Sequence, residues 1–364
     1  MRPANVPRLS GYEPAFDGLR ALAVTSVVAF HAFPALLPGA WIGVEFFFVL
    51  SGYLITSLLS REMALSGTIA FKKFFMRRIL RLTPAFWAML TCAAAVAIVS
   101  ATRPADLRAV LISGVYLMNW NRAFNLFPQG LLGHTWSLAM EEQFYLLWPA
   151  ALLFITPRRP VRWVALAIVA ITVWRSYLAF SGADPERTYN GFDTHGDTLL
   201  IGCVLALLPI TAKAAARAAT LTVIPIAGTI LMIATAYHRT VFMQTIGYTL
   251  IALLSGWLII GASQPSRWRQ VLSSKPLVFT GRISYGWYLW HYPILLFGEQ
   301  TPFLQTAWGR VALVLIAYPV AAVSYRYIEQ PFLHLKSRFE PNEIKHFAQP
   351  KDEASVQLNA QASS

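Results

Sequence analysis

Long apolar runs, separated by short stretches rich in Arg and Lys, recur from residue 16 to residue 330. Ten of them reach the roughly 15–20 residues that a helix needs to cross a bilayer core. They are 16–36, 41–60, 79–100, 141–156, 163–181, 197–211, 219–237, 244–262, 284–299 and 309–330. The pattern predicts an all-α, polytopic integral membrane protein of about ten transmembrane helices. Segment 141–156 is short for a span, and 107–120 reads as an extra shallow or re-entrant piece. No repeat stands out at periods of about 20–50 residues. From Ser337 the chain turns polar and rich in Ala, Gln and Ser. This divides it into a membrane domain over 1–336 and a disordered cytoplasmic tail over 337–364. With no soluble domain read at either end, the expected chemistry lies within the membrane part.

Composition agrees. The 364 residues are 56% hydrophobic and 13% charged, with a mean hydropathy of +0.50, whereas soluble domains carry about 25% charged residues. The net charge of +13 is spread unevenly. Twenty-one Lys and Arg fall on the side of the N-terminus and six on the other: Arg103, Arg108, Arg122, Arg187, Arg239 and Arg310. The positive-inside rule then places both termini in the cytoplasm. Most of the basic charge is explained by topology and contact with anionic lipid, and none of it implies nucleic acid. Cys92 and Cys203 fall inside spans and suggest neither a disulfide framework nor a metal site. The first segment is long, carries Arg20 and His31 and is followed by another span, so it is expected to be retained rather than cleaved.

Arg20 and His31 are the informative pair. A separation of 11 residues returns to the same helix face after three turns, about 16 Å along the axis. Ionisable groups in a span are costly and usually face a protein interior or an aqueous cavity. A cation near one surface and a titratable base deeper on the same face suggest an anionic carrier that delivers a group for chemistry. Asp17 is placed to pair with Arg20, and the plainer reading is a snorkelling arginine held by that carboxylate. His31, with an ordinary pKa near neutrality, suits a general base; a satisfied core histidine is the alternative.

Other strings are read the same way. Glu45, in the string Gly43 to Tyr53, sits near the outer end of the second span and can meet His31 as an orienting carboxylate, or serve as a structural glutamate. Arg78 and Arg81, if helical, share a face; two guanidinium forks suit phosphate, and positive-inside anchoring suits them equally. No Gly-rich phosphate loop is present. The string His134 to Tyr145 holds Trp136, Ser137, Glu141 and Tyr145 at the outer edge of the fourth span and fits a sugar-binding lip. His195 and Asp197 open the sixth span without a distinctive metal spacing. His291 lies in an aromatic run from Ser284 to Pro293, which fits an interfacial belt as readily. Arg326 and Glu329 are three apart at the end of the tenth span and can pair.

Taken together, Phe16-Asp17-Gly18-Leu19-Arg20-Ala21 through His31, Gly43 to Gly52, Arg78 to Arg81, Trp136 to Tyr145, Ser284 to Pro293 and Tyr327 to Pro331 resemble, in order, the acyltransferase family 3 of ten-span membrane proteins. The resemblance covers roughly residues 12–335. It implies transfer of an acyl group, usually acetyl, from cytoplasmic acyl-CoA to an acceptor at the outer face. Such acceptors are often hydroxyls of O-antigen, exopolysaccharide or other envelope glycans, sometimes antibiotics or small lipids. By position, the family's first-span Arg and His fall on Arg20 and His31, its Arg-x-x-Arg on Arg78 and Arg81, and its later carboxylates on Glu141 and Glu329. Many members carry Arg near the sixth span where this chain has His195. Some members carry an added esterase-like domain; this chain resembles the stand-alone form.

The resulting expectation is an O-acyltransferase of the bacterial inner membrane. Arg20, Arg78 and Arg81 bind the phosphates of acyl-CoA, His31 acts as general base and Glu45 orients it. Trp136, Ser137, Glu141, Tyr145, His195, Asp197, His291 and Glu329 bind the acceptor. A covalent acyl-enzyme on Ser51 or His31 stays open. No permanently bound cofactor, metal or protein partner is implied; the expected partners are the bilayer, acyl-CoA and a glycan or lipid-linked sugar. A transporter or flippase for an envelope lipid or glycan is the competing class. The charge asymmetry generates a direct check of sidedness. In a background lacking Cys92 and Cys203, Gln129→Cys and Pro185→Cys should react with an impermeant thiol reagent in intact cells whose outer membrane has been permeabilised. Ser66→Cys and Ser273→Cys should react only after lysis; the reverse pattern inverts the topology.

Overall fold

Glu13 and Pro14 start the first helix. The Glu13 carboxylate accepts a hydrogen bond from the Ala15 N–H at 3.4 Å, and Pro14 fills a first-turn position that needs no donor. In the computed structural model, which describes residues 12–99, 103–298 and 301–339, helix α1 spans Pro14–Ala32. Every regular element among the described residues is helical. α2 is Gly43–Ser66 and ends where Gly67 takes a left-handed φ of 76°. α3 is Phe71–Val99, α4 Arg103–Gly114, α5 Met118–Ala123, α6 Trp136–Ile155 and α7 Pro160–Phe180. α8 (Pro185–Asn190) and α9 (Phe192–His195) lead into α10, Asp197–Leu207. α11 (Ala212–Thr220) and α12 (Val223–Thr235) meet at a 52° bend. α13 is Tyr248–Ala262, α14 Arg267–Leu272, α15 Lys275–Arg282 and α16 Ser284–Gly298. α17 (Ala307–Ser324) and α18 (Gln330–Lys336) close the described chain.

Seven helical segments among the described residues are long and apolar enough to cross a membrane, eight if the bent α11–α12 pair counts as one. The other two expected spans are α10 and α16, of 11 and 15 residues, shorter than the bilayer core requires. Hydropathy misplaced several edges because polar and charged residues, among them the cavity-lining Arg78, Arg81, Ser137 and Glu141, interrupt the apolar pattern without interrupting the helix. α3 begins eight residues before its expected start and carries Arg78 and Arg81 on its first turns. The segment expected at 141–156 is helical from Gly130, through a 3-10 turn over Gly130–Thr135. The shallow segment near 107–120 is two short helices, α4 and α5. The tail expected from Ser337 lies, beyond residue 339, outside the described residues.

Segments expected on one side of the membrane meet at one end of the bundle. Glu13 pairs with Arg269 at 2.9 Å, Tyr12 accepts from Arg282 at 3.3 Å, and Arg77 joins Glu62 and the Phe339 carbonyl. At the far end Arg122 and Arg239 both bind Glu186, and Arg310 donates to the Ala32 carbonyl.

Two glycines bring α2 and α10 into backbone contact. A Cβ on Gly52 would collide with the Leu199 carbonyl, and one on Gly202 with the Val49 carbonyl. Small residues permit this approach in membrane helices, where close packing replaces the missing hydrophobic drive. α10 is then held from its other side by Arg175 of α7. This side chain has no exposed surface. It donates to Asp197 Oδ1 at 2.7 Å, Thr249 Oγ1 at 2.8 Å and the carbonyls of Thr194, Gln244 and Thr245. The last two carbonyls belong to a π turn over Met243–Gly247, where the regular ladder is broken. Arg175→Met strands the Asp197 carboxylate, and breaking a buried pair costs about 3–5 kcal/mol. Its thermal midpoint in detergent should fall well below wild type, with part of the loss recovered by adding Asp197→Asn; an unchanged midpoint would contradict this account.

Candidate functional site

α1, α2, α3, α6 and α16 together line an open cavity. Three guanidinium groups line it: Arg20 from α1, and Arg78 and Arg81 from α3. The α3 pair shares a face because three residues turn a helix by about 300°. Asp17 holds Arg20 at 2.8 Å, as the i, i+3 spacing predicted. Arg78 lies over the Tyr145 ring, 5.1 Å from its centre. Opposite stands a polar chain. Tyr145 donates to Ser51 Oγ at 3.2 Å, and Ser51 donates to Glu141 Oε1 at 2.6 Å. The cavity therefore sets three guanidinium groups against one lining carboxylate, Glu141, besides the Asp17 that holds Arg20, and this excess of positive charge suits a polyanion. Its lining also includes Ser137 and Tyr288, whose hydroxyls lie 2.6 Å apart.

Next to that hydroxyl pair is a cluster of histidines. Tyr288 donates to the His134 carbonyl at 2.7 Å, and its ring lies 5.5 Å from the His134 ring and 5.6 Å from that of His291. His291 Nε2 is 3.0 Å from His31 Nδ1. Tyr292 packs against both His31 and His134, with ring centres 4.9 and 4.8 Å away. Three histidines from α1, the Gly130–Thr135 turn and α16 thus meet beside the cavity's Ser137–Tyr288 wall.

A second polar centre lies behind Phe48 and Trp136. His195 Nδ1 is 2.6 Å from the Tyr189 carbonyl, and His195 Nε2 is 3.0 Å from the Glu45 carboxylate. Both side chains have no exposed surface. Trp41, Trp136, Tyr189 and Tyr248 wall this dyad.

The acyltransferase-domain family matches this chain across residues 13–326. The chain belongs to acyltransferase family 3. It is 35% identical over 354 residues to the peptidoglycan O-acetyltransferase OatA of Listeria monocytogenes, an alignment that covers 88% of this chain and 56% of that protein. A putative peptidoglycan O-acetyltransferase, YrhL, of Bacillus subtilis is 34% identical over 350 residues, covering 88% and 55%. A putative O-acetyltransferase of Staphylococcus aureus is 34% identical over 349 residues, covering 88% and 57%. The chain thus spans little more than half the length of these relatives. No solved structure matches it.

The family's strings do not all converge on one place. Arg20, Arg78, Arg81, Ser137, Glu141 and Tyr145 line the cavity together. His31 and His291 touch each other beside it. Glu45 does not meet His31. Residues 33–42 fold back along α1, so that a Cβ on Gly43 would strike the Ala23 carbonyl. α2 therefore begins eight residues, about 12 Å, below His31, and Glu45 meets His195 instead. Trp136 is buried between Phe48 and Tyr189 rather than set on a lip. Asp197 serves Arg175 and Thr249, and like His195 it is absent from the cavity lining. Glu329 is buried against Gly286. The expected Arg326–Glu329 pair does not form: a π turn over Tyr325–Glu329 alters the spacing, and Arg326 donates to Gln330 at 2.7 Å.

Sequence reading passed over Tyr288 and His134 as site residues. Tyr288 carried a signal, since it precedes His291 by three and shares its helix face. His134 carried none, because its partners lie about 155 residues away.

At the far end of the bundle, Arg122 couples this region to Glu186. It donates to the Gly133 carbonyl at 3.2 Å, directly before His134, and to Glu186 at 2.9 Å. Burial raises the Glu186 carboxyl, but Arg122 beside it and the Asn190 amide outweigh burial, so the group titrates below its ordinary range. A depressed carboxyl contributes stability above its unfolded pKa and loses it as pH falls through the folded one. Lowering the pH from 7 to below 4 should therefore reduce the thermal midpoint. Arg122→Gln should lower it more at pH 7 than at acid pH; an equal drop at both would remove Arg122 as the cause.

Proposed function

We propose that this chain is a membrane O-acyltransferase that moves an acyl group, acetyl in the first instance, from cytoplasmic acyl-CoA to a hydroxyl of an envelope glycan. The observation that carries the reading is the arginine-lined cavity, which reaches the Ser137–Tyr288 wall and so comes within one side chain of the His31–His291 pair. Family membership and the names of the peptidoglycan O-acetyltransferase relatives support it. In this reading the chain crosses the inner membrane ten times, with α10 and α16 as short spans and both termini in the cytoplasm. Peptidoglycan, O-antigen and exopolysaccharide all present suitable hydroxyls.

Arg20, Arg78 and Arg81 hold the phosphates of the donor by charge-assisted hydrogen bonds. Before the donor arrives, Glu141 and Asp17 provide the counter-charge. The acyl-bearing arm extends along α1 toward Ser137 and Tyr288, over a distance comparable with the 16 Å that separates Arg20 from His31. His31 accepts the proton of the acceptor hydroxyl as its oxygen attacks the thioester carbonyl. The tetrahedral intermediate collapses, the C–S bond breaks, and His31 returns the proton to the leaving thiolate. The products are acylated glycan and free CoA. Glu45 and His195 have a positioning role in this scheme: they fix α2 against α10 and so set the cavity wall that carries Phe48 and Ser51.

Labelled acetyl-CoA with purified protein in bilayers and an oligosaccharide acceptor tests the reading. His31→Ala should retain less than a tenth of the wild-type rate, because a positioned base contributes about 10²–10⁴-fold. Higher retention removes His31 as the base. Arg20→Ala and Arg78→Ala should raise the KM for acetyl-CoA more than they lower kcat, since remote phosphate contacts act as uniform binding. Arg78→Lys should restore only part of the affinity, as it lacks the bidentate fork. Unchanged KM in both alanine variants would assign these arginines to topology.

A further inference from the structure

We infer that His291 is a positioning residue that locks His31 into one tautomer and so presents the Nε2 lone pair of His31 to the acceptor. The inference rests on His31 being the base, and the hydrogen bonds around the two rings carry it. A backbone carbonyl can only accept. His291 Nδ1 lies 3.1 Å from the Trp287 carbonyl, one turn back on α16, so this nitrogen carries the proton. In neutral His291 the Nε2 atom is then an acceptor. Its neighbour at 3.0 Å is His31 Nδ1, which must supply the proton of that bond. A neutral imidazole has only one N–H, so His31 Nε2 is left with its lone pair. The chain of bonds runs from the Trp287 carbonyl through His291 to His31, and it leaves the proton-accepting atom on the far side of the His31 ring.

The surroundings reinforce this order. His291 has no exposed surface, and Tyr288, His134 and Tyr292 pack around it. Rotating its ring would take Nδ1 away from the Trp287 carbonyl. His134 is held the same way: its Nε2 donates to the Leu289 carbonyl at 3.1 Å, and its buried Nδ1 finds no partner among the described residues. α16 thus uses the carbonyls of Trp287 and Leu289 to set two imidazoles, and through His291 a third.

This arrangement differs in chemistry from a carboxylate-oriented histidine. A carboxylate would orient the ring and also stabilise its protonated form. His291 orients the ring and adds no negative charge. After His31 takes the acceptor's proton, its Nδ1–H still donates to His291, while no anion holds the new charge. The proton is therefore passed on readily to the departing thiolate, as the transfer requires.

Two variants and one spectrum test the inference. His291→Leu removes the imidazole acceptor of His31 Nδ1–H and leaves the ring only the Val27 carbonyl one turn back on α1. It should lower kcat for acetyl transfer by about 10²-fold, the low end of a positioned base's contribution, with the KM for acetyl-CoA within about twofold of wild type. His291→Gln restores an acceptor oxygen and should recover at least about tenfold of the lost kcat. A Gln variant as slow as the Leu variant would assign His291 to packing alone. Wild-type kcat in His291→Leu, with His31→Ala inactive, overturns the positioning role but leaves the base; an active His31→Ala overturns the base itself. Should either His291 variant fail to fold, nitrogen NMR of ¹⁵N-histidine-labelled wild type in bilayers decides independently. The His31 signal, identified by its loss in His31→Ala, should show a protonated Nδ1 and a bare Nε2. A protonated Nε2 refutes the proposed tautomer.

Discussion

A guanidinium with no exposed surface must find every acceptor for its N–H groups within the protein, and Arg175 imposes that demand on three parts of the fold at once. Its bonds to Asp197, Thr249 and the carbonyls of Thr194, Gln244 and Thr245 fix α7, the start of α10 and the π turn before α13 in one geometry. α10 begins two residues after His195, so fixing α10 also fixes that ring. His195 holds Glu45, and Glu45 sets α2. α2 in turn carries Phe47, Phe48 and Ser51 into the cavity wall. A satisfied charge deep in the bundle is costly to remove, and here it locates a cavity that it does not touch.

The arginines of the cavity obey the same electrostatics with a different outcome. Asp17 binds Arg20, whereas Arg78 rests on the face of Tyr145, with Glu141 engaged by Ser51 nearby. Positive charge supported by an aromatic face remains available to an anion in a way that Arg175 does not. One bundle therefore contains two kinds of guanidinium. The first is fully buried, saturated and structural; the second is half-buried, lines the cavity and is suited to a ligand.

Much of this was legible in the sequence because it is local. Apolar runs mark the helices, Asp17 and Arg20 pair at their i, i+3 spacing, and Arg78 and Arg81 share a face once α3 is seen to be helical there. What the sequence did not disclose depends on how the chain returns on itself. Glu45 and His31 looked equally deep because each sits near the outer end of its expected span, 16–36 and 41–60. The chain over 33–42 descends along α1 instead, with Ser26 donating to the Ala40 carbonyl at 2.6 Å. The union of His31, His134 and His291 joins residues 103 to 260 positions apart, and no periodicity encodes that. The π turn at Tyr325–Glu329 likewise defeats a spacing argument that assumes 3.6 residues per turn.

The Gly52–Gly202 contact has a mechanical consequence. Where two backbones touch without an intervening layer of side chains, nothing between them can be compressed or can change rotamer, so α2 and α10 move as one slab. The cavity thus has a stiff wall. Its other sides come from α1 and from α3, α6 and α16, and the last three carry Pro84, Pro149 and Pro293 within their helices, places where the hydrogen-bond ladder is already interrupted. Any widening that admits a bulky donor is borne by those three helices, while Ser51 keeps its place like a fixed jaw in a clamp.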